Sequence, residues 1–358
     1  MIYLDYQATT PLAPQALEAM IRHLDGPDGT SFGNPHSPHR MGRQAAAAIE
    51  VAREKVAALF PSGGRVIFTG GATEALNLAI RGSGQGGTIA ASAIEHSAVL
   101  DTAEAVGRCH RLTMDKDGTC HPDQIWPDDT RLFAIMQVNN EIGTIQPLEK
   151  WAAFASLNDA PLLVDAVQAY GKTPVAHADM IAISAHKFHG PKGVGALWVR
   201  DGIELTEQQT GGGQEHGLRS GTLSPALIAG MGAAAALAGE RMEEDAAHIE
   251  ALWSRARELF AGWTLNGSET ERYRGNLNIR KDGLDVARLM SECRTIMFSA
   301  GSACASGSGR PSHVLRAIGL SDRQAKSSIR LGFGRYTTME ELEEAAKSIN
   351  NAVHQQAI

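Results

Sequence analysis

The chain has 358 residues, 43% of them hydrophobic and 20% charged, with a formal net charge of −7 and a pI near 6.0. That length buries a large core and favours one big domain plus a smaller one, while the acidic balance argues against nucleic acid and anionic membrane as primary partners. No apolar run approaches the roughly 18 residues a bilayer span needs.

The first ten residues lack a basic segment and a long apolar core, so no secretory signal is expected. Cys109, Cys120, Cys293 and Cys304 show no C-x-x-C spacing. They read as reduced thiols of a cytoplasmic protein with no metal framework. Ile2 to Leu4 is a short strand by pattern, and Pro14 to Leu24 a helix with proline at its start. After a proline-rich loop, Asp25 to His39, an alanine-rich helix covers about Arg43 to Phe60.

Strands and helices then alternate. Val66–Thr69, Thr88–Ser92, Leu132–Val138, Leu162–Val164, Met180–Ile183 and Val194–Val199 read as strands. Ala72–Arg81, Ser97–Gly107 and Leu148–Leu157 read as helices between them. This pattern predicts an α/β fold with a mostly parallel, doubly wound sheet whose ligand site lies at the strands' carboxyl ends. The one G-x-G-x-x-G in the first half, Gly82 to Gly87, falls after a helix and before a strand, the reverse of the strand-to-helix context of a dinucleotide fingerprint, so a dinucleotide is not the expected ligand. A helix Pro225–Ala238 and a separate charged helix Glu240–Phe260 lead out of this region. Beyond them Leu277–Arg280, Thr295–Ser299 and Ile329–Phe333 read as strands. Leu284–Cys293, Pro311–Ile318 and Thr338–Val353 read as helices. The expected division is a large domain over 13–250 and a small α+β domain from 1–12 and 251–358.

Lys187 falls on a short glycine- and proline-walled connection between two strands, within S-A-H-K-F-H-G-P-K-G. A lone lysine there is an ordinary surface residue; its company suggests a Schiff-base lysine. Asp165 follows a strand in V-D-A-V-Q, where it either caps the next helix or pairs with the protonated ring nitrogen of pyridoxal phosphate. T-G-G-A-T-E, Thr69 to Glu74, opens a helix with exposed backbone N–H groups suited to a phosphate. His96, between a strand and a helix, is placed to lie over the same site.

Ten stretches resemble the cysteine desulfurases of the class V aminotransferase family, in family order across nearly the whole chain. They include L-D-Y-Q-A-T-T-P (4–11), G-A-T-E-A-L-N (71–77), V-N-N-E-I-G (138–143), V-D-A-V-Q (164–168), G-G-G-Q-E-H-G-L-R-S-G-T (211–222), G-S-A-C-A-S (301–306) and S-S-I-R-L-G-F-G-R (327–335). The resemblance implies pyridoxal 5'-phosphate anchored on Lys187, with His96 stacked on its ring, Asp165 on its nitrogen and Gln168 on its phenolic oxygen. Thr73, Ser184, His186 and the backbone of Ala72 would hold the phosphate. Thr222 would reach the phosphate of a neighbouring subunit, which implies a homodimer. Arg330, helped by Asn140, would clamp the carboxylate of the substrate L-cysteine. Cys304, in a run of small residues over about 299–309, would receive the sulfur as a persulfide and pass it to an acceptor protein, for iron–sulfur cluster or tRNA thiolation supply. A selenocysteine lyase or an aminotransferase of the same family is the alternative, and a non-enzymatic interaction protein a weaker one. Gln7, His36 and His216 depart from common family residues, the first two expected to lie apart from the chemistry. The short stretch after the last helix leaves docking of a scaffold protein an open expectation.

Overall fold

The structure is a computed structural model and describes residues 1–84, 86–301 and 311–356. In chain order, β1 is Ile2–Tyr3, α1 Pro14–Ile21, α2 Arg40–Ala57, β2 Gly64–Thr69, α3 Ala72–Gly82 and β3 Thr88–Ser92. They are followed by α4 Ser97–Val106, β4 Arg108–Leu112, β5 Thr130–Ala134, α5 Leu148–Leu157, β6 Leu162–Asp165, β7 Met180–Ser184 and β8 Gly195–Arg200. The remainder comprises α6 Pro225–Leu259, β9 Thr264–Leu265, β10 Asn276–Arg280, α7 Val286–Glu292, β11 Ile296–Met297 and β12 Ser299–Ala300, then α8 His313–Ala317, α9 Asp322–Lys326, β13 Ser328–Gly332 and α10 Met339–Gln355.

Seven strands form the central sheet in the order β2-β8-β7-β6-β5-β3-β4. The junctions from β7 through to β4 are parallel, and β8 runs antiparallel to both of its neighbours. The expected α/β fold with a mostly parallel sheet is therefore present. Strands β3, β6 and β7 are buried along their whole length, as continuous apolar runs covered on both faces should be. Because β2 and β7 both run opposite to β8, the carboxyl ends of β2, β3, β5, β6 and β7 all open on one edge of the sheet.

A second, four-stranded antiparallel sheet has the order β12-β13-β10-β9. The N-terminal β1 pairs in parallel with β11, and Gly332 donates its backbone N–H to Leu4. Thus the first residues join the C-terminal ones.

The elements depart from expectation at four places. The helices Pro225–Ala238 and Glu240–Phe260 are one 35-residue helix, α6, some 50 Å long. Gly239 costs only about 1 kcal/mol in a helix, and packing of α6 against α1, α2 and α10 outweighs it. The edge strand β4 carries R-C-H-R-L, too polar to read as a strand, yet it pairs with β3 over its full length. Thr295–Ser299 splits into β11 and β12, and α9, capped by a reciprocal Ser321–Gln324 box, had no apolar period to reveal it.

Candidate active site

At the carboxyl edge of the large sheet lies a cavity of about 890 Å³. It gathers Gln7, Ala72, Thr73, His96, Asn140, Asp165, Gln168, Ser184, His186, Lys187, Lys192 and Arg330, from segments scattered over more than 300 residues of sequence. Five of these segments leave strand ends of the large sheet: Thr73 after β2, His96 after β3, Asn140 after β5, Asp165 at the end of β6 and Lys187 after β7, whereas Arg330 lies within β13.

The floor is built by backbone turns. Helix α3 begins at Ala72 with Gly71 as its N-cap, so no capping side chain satisfies its first N–H groups among the described residues. Those donors and the helix dipole make a site for an anion. Gly71 has φ +153°, and the start of β8 presses on it so closely that a Cβ on Gly195 would lie 2.8 Å from the Gly71 backbone. Both positions therefore exclude a side chain. On the other flank Glu74 accepts from Gly70 N at 2.7 Å and pairs with Arg219 at 2.6 Å, which ties the turn to the 211–222 segment.

Lys187 ends a single 3-10 turn, Ala185–Lys187, directly after β7. Its Nζ donates to the backbone carbonyls of Gln7 (2.5 Å) and Ala8 (2.9 Å). Asp165 is 5% exposed and accepts from Val167 N at 2.9 Å through one oxygen. Among the described residues it forms no ion pair. Burial raises its pKa, while the nearby His96 and Lys187 oppose that rise. Asp165 thus makes the expected capping bond and also faces the cavity. A cationic ring nitrogen would add a direct charge partner to this buried carboxylate. The donor set therefore fits pyridoxal phosphate: an uncapped helix start for a phosphate, a lysine amine for an aldehyde and a buried acid for a pyridinium.

His96 caps α4, its Nδ1 accepting from Ala98 N, which fixes the imidazole against the cavity. His186 bonds Thr9 Oγ1 at 3.1 Å, and burial with nearby Lys187 lowers its pKa to about 4. It is neutral at pH 7. Gln168 donates from Nε2 to the Gln7 carbonyl (2.9 Å) and accepts at Oε1 from Lys172 (3.0 Å).

Arg330, 1% exposed, bonds Asp5 Oδ1 at 2.7 Å and the Asn140 carbonyl at 3.0 Å, while its buried Nε has no hydrogen-bond partner among the described residues. Thr222 is exposed and does not line the cavity. Cys304 and the 302–310 stretch lie outside the described residues; of the expected loop only Ser299 to Gly301 is described.

Four groups at or behind the cavity were not anticipated. Gln7, expected to lie apart from the chemistry, offers the carbonyl on which Lys187 and Gln168 converge. Lys172 stands behind Gln168. Glu95 and Glu141 are buried acids beside the His96 segment, with pKa values raised by desolvation to about 8 and about 7. Gln7, Glu95 and Glu141 sat inside matched motifs, which could have flagged them; Lys172 carried no signal.

The aminotransferase class-V family model matches residues 2–344. The chain is 42% identical over 376 residues to a cysteine desulfurase IscS from Aeromonas salmonicida, covering 98% of this chain and 92% of that protein. It is 41% identical over 378 residues to one from Colwellia psychrerythraea, with the same coverage. A solved structure titled NifS-like protein superposes with a TM-score of 0.90 at 32% identity, covering 99% of each chain. Another, titled SspA in complex with cysteine, superposes at 0.80 with 36% identity, over 94% of this chain and all of that one. Fold, cavity and relatives agree from end to end: the chain belongs to the aminotransferase class-V family.

Proposed function

We propose that the protein is a pyridoxal-phosphate-dependent cysteine desulfurase that converts L-cysteine to L-alanine and carries the sulfur as a persulfide on Cys304. The observation that carries this reading is the convergence of Lys187, Asp165, His96 and Arg330 on one cavity floored by the uncapped start of α3. The near full-length similarity to proteins named cysteine desulfurase supports the sulfur chemistry.

When bound, pyridoxal phosphate supplies the electron sink that stabilises negative charge at the carbon bearing the amino group. Lys187 would anchor it and, once displaced by the substrate's amino group and freed as a neutral amine, would take the α-proton of L-cysteine. Asp165 would pair its carboxylate with the ring nitrogen, and His96 would pack against the ring. Ser184, His186, Thr73 and Ala72 N–H face the phosphate end, where a neutral His186 serves as donor or acceptor. Arg330 orients the substrate carboxylate, its charge partly balanced by Asp5. The Cys304 thiolate attacks the substrate sulfur; the carbon–sulfur bond breaks, a sulfur–sulfur bond forms, and the departing carbon skeleton is protonated to alanine. Burial pushes the thiols of Cys109, Cys120 and Cys293 upward in pKa, so these three are poor nucleophiles. A homodimer, with Thr222 of each subunit reaching the other's phosphate, and a sulfur-acceptor protein complete the reading. The exposure of Thr222 away from its own cavity supports the first.

The test is Cys304→Ala. It should keep the yellow colour and the absorbance change on adding cysteine, yet lose persulfide and nearly all alanine formation. Alanine release at close to the normal rate would make a lyase without a protein thiol the better reading. Borohydride should fix the cofactor on Lys187, and a reduced adduct on another lysine would sink that assignment.

A further inference from the structure

Lys172 has no part in the chemistry above, yet it occupies a costly place. It lies mostly below the surface, four residues after Gln168 in the turn that follows β6, and makes no ion pair among the described residues. Its Nζ bonds Gln168 Oε1 at 3.0 Å and sits 5.4 Å from the centre of the Tyr273 ring. Burial, with the nearby Lys187, lowers its pKa to about 7, the cost of an ammonium without a carboxylate; among the described residues its hydrogen bond goes to Gln168.

We propose that Lys172 is a positioning residue: its ammonium holds the Gln168 carboxamide with the oxygen turned toward Lys172 and the NH2 toward the cavity, and polarises that NH2 as a donor. A carboxamide can turn end for end at little intrinsic cost, and only one of its ends can donate. Lys172, when charged, can only donate, so the amide oxygen must face it. The Gln7 carbonyl can only accept, so the NH2 must face that side, where it bonds Nε2 at 2.9 Å. The two contacts demand the same orientation and leave the second N–H of Gln168 for the ligand. Serial hydrogen bonds polarise one another, and a cation at the far end strengthens the last donor. This rests on reading Gln168 as the group that meets the cofactor's phenolic oxygen.

The groups facing Lys172 are Lys187, His186 and His189, the Tyr273 ring, and, across an adjoining small cavity, Asp245 and Arg335. All stay unchanged in Lys172→Met, Gln168→Ala and the double variant. Each protein is reconstituted with pyridoxal phosphate, and the dissociation constant and the pH midpoint of the bound cofactor's visible absorbance are measured. Lys172→Met should weaken binding by about 5–20-fold, the scale of one hydrogen bond to a charged oxygen. It should also move the midpoint upward, because a donor to the phenolic oxygen is lost. In the Gln168→Ala background the same substitution should add almost nothing.

Unchanged affinity and midpoint in Lys172→Met, even with a lower melting temperature, would overturn the proposal. So would a shift just as large without Gln168. Lys172→Gln, neutral and of similar reach, carries the same test if Lys172→Met does not fold, and wild-type values in it count against the proposal. Wild-type protein that takes up no cofactor overturns this inference together with the functional reading; wild-type uptake with unresponsive variants overturns this inference alone.

Discussion

Asp165 and Glu95 show how two buried carboxyls of one site serve different ends. Asp165 has one oxygen on Val167 N and lies near His96 and Lys187, so Asp165→Ala should remove the charge that holds a ring nitrogen protonated. We expect the yellow colour to persist while kcat/KM falls by about 2–4 kcal/mol of transition-state stabilisation. Near-normal turnover would reduce Asp165 to a cap. Glu95 is fully buried and takes both Ser92 Oγ and Met136 N at 2.6 Å on one oxygen, leaving the other without a partner among the described residues. Its pKa of about 8, against 4.5 in an unfolded chain, means that the folded state holds an extra proton between those values. Stability from this group is therefore complete below pH 4.5 and lost as pH rises through 8. Glu95→Gln keeps the acceptor oxygen and cannot ionise. Its unfolding free energy should match wild type near pH 5 and exceed it increasingly toward pH 8, by on the order of 2–4 kcal/mol, read from denaturant melts at each pH. A constant difference across that range would show that Glu95 does not titrate there.

Among the elements, the start of β8 is the tightest point. Gly195 lies beside Ser184 and Thr69 in the sheet, and a Cβ there would meet Ile183 O at 2.5 Å and the Gly71 backbone at 2.8 Å. Gly195→Ala should push the turn before α3 away and lower cofactor affinity. Overpacking of this kind costs about 1–3 kcal/mol; isothermal titration and thermal melts would record both effects, and unchanged affinity would show that the turn yields without cost. The same closeness explains α6. A Cβ on Gly232 would lie 2.7 Å from Ala52 of α2, and one on Gly230 would meet Met20 at 2.5 Å. These glycines, which look like helix breakers in the sequence, are where three helices approach.

At the scale of the molecule, α6 spans from the helices that cover the large sheet to the C-terminal helix α10. The N-terminal segment crosses back to pair with β11 and Gly332. Asp5 and Gln7 on that segment thereby reach Arg330 and Lys187, so the cavity is completed by both ends of the chain. No helix among the described residues is long and apolar enough to cross a membrane. The proposed homodimer predicts that Thr222→Ala lowers cofactor affinity with little change in melting temperature, since its side chain is exposed within one subunit. Sedimentation that finds an active monomer would count against that arrangement.

The strand ends that carry Lys187, Asp165 and His96 were legible because buried parallel strands are continuous apolar runs, and the residues just after them lie at the carboxyl edge where such a sheet builds its site. The family motifs named their chemistry. Periodicity did not disclose β4, whose edge position tolerates R-C-H-R-L, nor the unity of α6, since one glycine is a weak break once flanking helices pack on both halves. Gln7 contributes a carbonyl, a group every residue has, so no residue type could mark it. Lys172 gains its place from a fold that turns it inward against Gln168. Composition and spacing determined which residues could do chemistry; only the packing of distant segments decided which backbone oxygens, buried acids and amide orientations they would meet there.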